Sequence, residues 1–306
     1  MRNIIGIHVF QLFLQVWYEG LDHPVIADLE IRQNGRGHPI GGVKYEQLYY
    51  SCPLTTGEVV PTHVSIVEEP CSPADNYMKV TRPYRGPYLH EFGICVPVAY
   101  GYIDPYRIVE WVELQKILGV TEINIYPGDL DKRSISVLQH YEQEGIVRLF
   151  YAPTVPYHDN TEDSNGIANP LSMNDCIYRN MYRYKWAVVI DVDEVIMPRQ
   201  DHNLSAMIAR ISHANHLDDA FRSYTFRNTY FWVQCETSPK EPRGAYILRN
   251  RKREEPNGPM SVPKSIINPR RCLCVHNHHC YHQFNMPRGE KWTLDVPTNM
   301  GLSHHY

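Results

Sequence analysis

Residues 186–194 read Trp-Ala-Val-Val-Ile-Asp-Val-Asp-Glu, an apolar run that ends in three carboxylates. Asp191 and Asp193 stand one residue apart, so both can offer hard oxygen ligands to a single divalent cation. A cation held in this way can in turn grip a diphosphate. Glu194 follows directly and can position a substrate or hold the loop. The bland alternative is a solvated acidic turn, which Pro198 shortly downstream would suit. A second chemical cluster, Cys272-X-Cys274-X-His276-X-His278-His279-Cys280-X-His282, has ligands of the zinc type. Its spacing is too tight for a finger, because neighbouring side chains on an extended chain point to opposite faces. Disulfides plus one functional histidine account for it more economically.

The elements that must position these groups are legible around them. Val188, Val189 and Ile190 are β-branched and uninterrupted, which predicts a strand buried on both faces. The carboxyl end of such a strand is where open α/β sheets place ligands. From about residue 91 the pattern alternates strand and helix. Ile94–Tyr100 is a short apolar run, followed by a helix with Asp104 as N-cap, Pro105 at its first position and Gly119 just beyond its end. Val120–Tyr126 is the next strand. Residues 131–144 form a second helix closed by Gly145, Ile146–Tyr151 a third strand, and Asn169–Tyr184 a third helix leading into the acidic strand. This order calls for a mostly parallel sheet with helices on both faces. Residues 152–168 are polar and read as a loop. Beyond 200 the pattern predicts a short helix at Leu204–Ile211 and an aromatic strand or hairpin arm at Phe221–Val233.

Residues 1–90 differ from the rest. Strand-like runs at Val9–Tyr18, Val25–Ile31, Tyr45–Tyr50 and Val64–Val67 alternate with Gly, Pro and Asn clusters, which predicts a small β-rich region. Cys52 and Cys71 could close a loop across it. The domain division expected is therefore 1–90 and 91–306.

Composition sets the bounds. A chain of 306 residues with 43% hydrophobic and 21% charged residues is ordinary for a globular protein. A net charge of −4 gives no electrostatic footprint for nucleic acid. Tyrosine is abundant at 22 residues, which suits sugar or base stacking as well as a β-rich core. Eight cysteines, at 52, 71, 95, 176, 235, 272, 274 and 280, fit an oxidising compartment, as does the sequon at Asn203. Residues 4–17 are too short and too interrupted to span a bilayer and lack a cleavage site, so a secretory anchor is expected upstream of Met1.

Several stretches in order resemble glycosyltransferase family 92. They are Glu110-Trp111-Val112-Glu113 before Leu118-Gly119-Val120, Tyr141 with Gly145-Ile146-Val147, Asp175-Cys176, Trp186 with Asp191-Val192-Asp193-Glu194, Lys264-Ser265-Ile266-Ile267, His276 and the terminal His305-Tyr306. The resemblance covers about residues 90–306. It implies a GT-A-like fold, a nucleotide-sugar donor of the UDP-hexose class, above all UDP-galactose, a divalent metal, usually Mn²⁺, and a glycan or glycoprotein acceptor. It also implies a lumenal domain of a Golgi membrane protein. The family's His-Tyr is normally followed by further chain, so a C-terminal element is expected to be missing here.

On this reading Asp193 is the first choice as metal ligand, with Asp191 on the ribose or a metal-bound water. A third ligand would be a histidine from the C-terminal part: His276 first, then His278, His304 and His305. The uridine would lie along Val98–Tyr102, with Tyr100 or Tyr102 stacking on it. An inverting reaction also needs a general base. Glu236 stands with Asp218, Asp219, Glu254 and Asp295 as candidates, beside Glu194 as a catalytic carboxylate. Two other classes compete. The hydrophobic-Asp-X-Asp stretch fits the first motif of haloacid-dehalogenase-type phosphatases. A catalytically inactive, lectin-like protein would keep glycan binding without turnover.

Overall fold

A computed structural model describes residues 12–33, 38–40, 43–45, 47–54, 59–151, 162–215, 223–232, 240–242, 244–283 and 293–306. The chain forms two units, one of residues 1–37 with 46–83, the other of 38–45 with 84–306. The strands described in residues 1–83 are β1 (Phe13–Trp17), β2 (Val25–Ala27), β3 (Glu30–Gln33), β4 (His38–Ile40), β5 (Val43–Tyr45), β6 (Leu48–Ser51), β7 (His63–Val67) and β8 (Met78–Lys79).

In the first unit, β2-β1-β7-β8 form an antiparallel sheet, and β3 pairs with β6. Leu14 and Val16 project from one face of β1 into a small core with Tyr18 and Ala27. Gln15 faces the other way and donates to the carbonyls of Pro70 and Ser72, at 3.0 and 2.8 Å. Two expected strands are divided. Val25–Ile31 breaks into β2 and β3 at Asp28-Leu29, and Tyr45–Tyr50 splits between β5 and β6. Cys52 and Cys71 are free thiols rather than a loop-closing pair.

The second unit begins with the β4–β5 hairpin and continues through β9 (His90–Gly101), α1 (Pro105–Ile117), β10 (Val120–Leu130), α2 (Lys132–Gln143), β11 (Val147–Leu149), α3 (Glu162–Asn180), β12 (Tyr184–Val189), β13 (Glu194–Pro198) and α4 (Leu204–Asn215). It ends with β14 (Ser223–Phe226), β15 (Asn228–Tyr230), α5 (Tyr246–Arg249), β16 (Lys264–Ile267), β17 (Cys272–Val275), β18 (Cys280–Gln283), β19 (Thr293–Asp295) and β20 (Gly301–His305). The main sheet has the order β11-β10-β9-β12-β16-β14-β19. β11, β10, β9 and β12 are mutually parallel, β16 runs against β12 and β14, and β14 and β19 share a direction. The result is a mixed α/β unit with a largely parallel sheet.

Alternation along β9 builds both layers. Phe92, Ile94 and Val96 enter one core with α1, α2 and α4, while Cys95 enters the other with α3. Cys95 is disulfide-bonded there to Cys176 of α3. The expected caps are in place: the Asp104 side chain accepts from the Tyr106 N–H, and Pro105 opens α1. Gly119 takes a φ of +97°, which a side chain would strain.

Two expectations are corrected, and a third, the preference for disulfides over zinc in the Cys/His cluster, agrees with the structure. α3 begins at Glu162, inside the stretch read as loop, and Pro170 lies within it. The aromatic run at 221–233 yields β14 and β15 in two different sheets, divided at Arg227. The Cys/His cluster is a β17–β18 hairpin closed by a Cys272–Cys280 disulfide, which leaves those two sulfurs unable to ligate zinc. Among the described residues no helix is long and apolar enough to cross a membrane.

Candidate functional site

β12 delivers Asp191 at its carboxyl end, and the chain turns at once. The Glu194 N–H donates to the Asp191 carbonyl at 3.1 Å, and the Asp191 N–H donates to Glu194 Oε2 at 3.0 Å. β13 then leaves the turn and pairs with β20, Glu194 opposite His305. The Tyr306 N–H donates to the Asp193 carbonyl at 2.9 Å, so the end of β20 clamps the turn from the other side. The loop is thus fixed by backbone on two sides, which holds three carboxylates within 4.8 Å of one another.

The three are not equivalent. The Glu194 side chain is 2% exposed and its oxygens are occupied. Oε2 lies 2.7 Å from Lys264 Nζ, Oε1 lies 3.2 Å from His305 Nδ1, and the Glu194 carbonyl accepts from Trp111 Nε1 at 2.7 Å. Burial alone would raise its pKa, but His305 and Lys264 hold it down to about 2. Asp191 gives Oδ2 to Lys264 at 2.8 Å. Burial pushes its carboxyl up to about 6 in spite of that lysine. Asp193 is 38% exposed and has His305 Nε2 at 3.3 Å. His305 therefore sits between two carboxylates. Burial disfavours its charge, yet Asp193 and Glu194 raise it to about 10.

Asp191 and Asp193 open on a cleft of roughly 380 Å³. Val98, Tyr100 and Tyr102 line it from the end of β9, Arg107 from α1, Asn277 from the β17–β18 turn and His305 from β20. Tyr100 is half exposed and Tyr102 is 72% exposed, so both rings are accessible from the cleft. The Arg107 guanidinium donates to the Tyr306 main-chain oxygen at 2.5 Å and lies over the Tyr246 ring.

Of the residues singled out in the sequence, Tyr100, Tyr102, Asp191, Asp193 and His305 come together in the cleft, and Glu194 lies behind them, holding the turn. His276 does not line the cleft; its N–H donates to the His279 carbonyl at 2.9 Å. His278 approaches the Pro263 carbonyl and His304 the Tyr306 hydroxyl, each at 3.1 Å. The histidine that reaches the acidic group is His305. Asp295 is paired with Arg227 at 2.7 Å, and Glu254 is exposed away from the cleft lining. Glu236, Asp218 and Asp219 lie outside the described residues. Lys264, Arg107 and Asn277 were given no role in the sequence reading. Lys264 entered only as the head of Lys264-Ser265-Ile266-Ile267, one of the stretches that resemble the family, where a lysine opening a strand-like run is the signal.

A largely parallel sheet carries two aspartates at a strand's carboxyl end, over a tyrosine-lined cleft, an arrangement that could hold a cation or a polar ligand. The model of Glycosyltransferase family 92 matches residues 90–306. The chain belongs to glycosyltransferase family 92. The curated protein Beta-1,4-galactosyltransferase galt-1 of Caenorhabditis elegans is 27% identical over 184 residues, which cover 56% of this chain and 42% of that protein. The match therefore spans less than half of that relative's length. Among solved structures, a crystal structure of a mycobacterial protein is similar at 16% identity and a TM-score of 0.24, over 46% of this chain and 41% of that one.

Proposed function

We propose that this protein is a GT-A-like glycosyltransferase that moves a hexose, galactose in the first instance, from a UDP-sugar to a glycan acceptor with inversion. The observation that carries the reading is the pairing of Asp191 and Asp193 with exposed Tyr100 and Tyr102 in one cleft, within the residues that match the family. The relative named a β-1,4-galactosyltransferase supports the choice of sugar.

The donor set suits a hard divalent cation such as Mn²⁺, because Asp191 and Asp193 offer carboxylate oxygen on the cleft side while Glu194 is taken up by the protein. When bound, such a cation would neutralise the charge that gathers on a departing diphosphate. The chain's own residues supply the rest. Tyr100 and Tyr102 offer stacking faces to a nucleobase at the end of β9. Arg107, whose guanidinium donates to the Tyr306 main-chain oxygen, adds a positive group to the same cleft. The backbone clamp on 191–194 keeps both aspartates in register, so little reorganisation is needed when charge develops. The Cys95–Cys176 and Cys272–Cys280 bridges support an oxidising compartment, in keeping with a Golgi lumenal domain.

Calorimetric titration of UDP with and without Mn²⁺, on wild type and Asp193→Ala, tests the reading. UDP binding that needs the ion and vanishes in the variant is expected. A folded wild type that binds no UDP in either condition would remove the donor class and bring the phosphatase and lectin-like readings forward.

A further inference from the structure

A lysine closed off from water needs partners that replace its hydration, and few sites provide them. Lys264 is 2% exposed and opens β16, the strand antiparallel to β12. Ser265 pairs with Val189, which sets Lys264 beside the point where β12 gives way to Asp191. Its Nζ lies 2.8 Å from Asp191 Oδ2, 2.7 Å from Glu194 Oε2 and 3.4 Å from Asn277 Oδ1. An ammonium carries three donors, and these are three acceptors. Two of the three acceptors are carboxylates, so the buried ammonium meets opposite charge within hydrogen-bond distance.

We infer that Lys264 is a positioning residue, a built-in cation that takes one oxygen each from Asp191 and Glu194 and so leaves the cleft side of the acidic turn set for a single external divalent ion. Three carboxylates this close would repel one another without the two cations among them; His305 lies between Asp193 and Glu194, and Lys264 is the cation that reaches Asp191. Held through Oδ2, Asp191 keeps its other oxygen for the cleft. Asn277 meets the ammonium through Oδ1, which turns its amide donor away from the lysine, and Asn277 lines the cleft. The inference rests on the transferase reading for the identity of the ligand that follows the ion, but not for the ion itself.

Melting of wild type, Lys264→Arg and Lys264→Gln, with and without saturating Mn²⁺ alone, tests it. The Arg variant keeps the charge, whereas the Gln variant keeps a donor without it. The Gln variant should melt lowest without the ion and gain at least about twofold more Tm from Mn²⁺ than wild type, because the ion supplies the missing charge. The Arg variant should respond to the ion as wild type does. Equal ion-induced rises in wild type and the Gln variant, or no rise in any of the proteins, would overturn the inference and leave Lys264 a packing residue. If the Gln variant folds only with the ion, that supports the inference. If it folds in neither condition the Arg variant decides, a wild-type ion response sustaining the inference and an altered one overturning it. A wild type that is stabilised by Mn²⁺ yet binds no UDP overturns the transferase reading alone.

Discussion

The main sheet carries a cluster of charge at each end, and only one of them opens on a cleft. At the amino end, Glu122 of β10 is 7% exposed and meets Arg183 at 2.7 Å, Arg148 at 3.3 Å and His90 at 3.5 Å. The Tyr184 hydroxyl donates to Glu122 at 2.5 Å, and its ring fills the space that the missing side chain of Gly93 leaves, where a Cβ would fall 2.1 Å from it. That cluster is closed: one carboxylate is surrounded by donors. At the carboxyl end three carboxylates share one lysine and one histidine, and two of them face the cleft. Buried charge is common to both ends, so burial does not mark function. What separates them is surplus acceptor capacity turned toward an empty volume of ligand size.

The sharpest way to break this comparison is to remove one group from each end and read two quantities. Asp193→Ala should abolish donor turnover, by at least about 10²-fold, since charge stabilisation of a leaving group contributes several kcal/mol. Its Tm should stay near that of wild type, because a partly exposed loop carboxylate contributes little to packing. Full UDP-sugar hydrolysis in a folded Asp193→Ala protein would end the assignment. Glu122→Ala should do the reverse. It strands Arg183 and the Tyr184 hydroxyl, at a cost of about 3 kcal/mol in denaturant unfolding, while UDP affinity in the folded variant is unchanged. A Glu122→Ala protein as stable as wild type would show that the closed cluster is not the structural counterpart proposed.

The two ends also differ in how legible they were. The carboxyl-end motif could be read because its signal is local: three apolar residues followed by Asp-X-Asp fix both a strand and what it delivers. The ends of α1 and the stop of α2 were readable for the same reason, with Asp104-Pro105, Gly119 and Gly145 each acting within one turn, whereas Asp131, read as the first helical residue, caps α2 instead. The amino-end cluster joins residues 90, 122, 148 and 183–184, and no spacing rule links them. Lys264 was hidden in the same way, because its partners arrive through the antiparallel pairing of β16 with β12, which the strand–helix alternation does not foretell. That His305 rather than His276 lies beside Asp193 follows from register, which the sequence does not display. Glu194 opposite His305 is a β13–β20 pairing across more than a hundred residues, and it brings that imidazole to Asp193.

Smaller effects refine the picture at each end. Tyr102→Ala removes a ring that is 72% exposed, so its stability should not change. Stacking on a base is worth about 1–3 kcal/mol, and UDP affinity should fall about tenfold. Unaltered affinity in calorimetry would move the nucleotide away from the end of β9.

The smallest effect belongs to His90, which tests whether the closed cluster accepts another positive charge. Burial lowers the His90 pKa below its ordinary value, with Arg183 and Arg148 adding to the effect and Glu122 opposing it. A folded state that binds this proton less readily than the unfolded chain loses stability as pH falls through the ordinary histidine value near 6.5. His278 and His304, both pushed down to about 4 by burial, give the wild type an acid slope of the same sign. The decisive quantity is therefore a difference. His90→Gln, which keeps a polar group near Thr121 but cannot take the proton, should show a shallower fall in Tm below about pH 6.5 than wild type. Its UDP binding at neutral pH should be the same. Parallel acid slopes in the two proteins would mean that the cluster around Glu122 has spare acceptor capacity after all, and the contrast between the two ends of the sheet would then rest on the cleft alone.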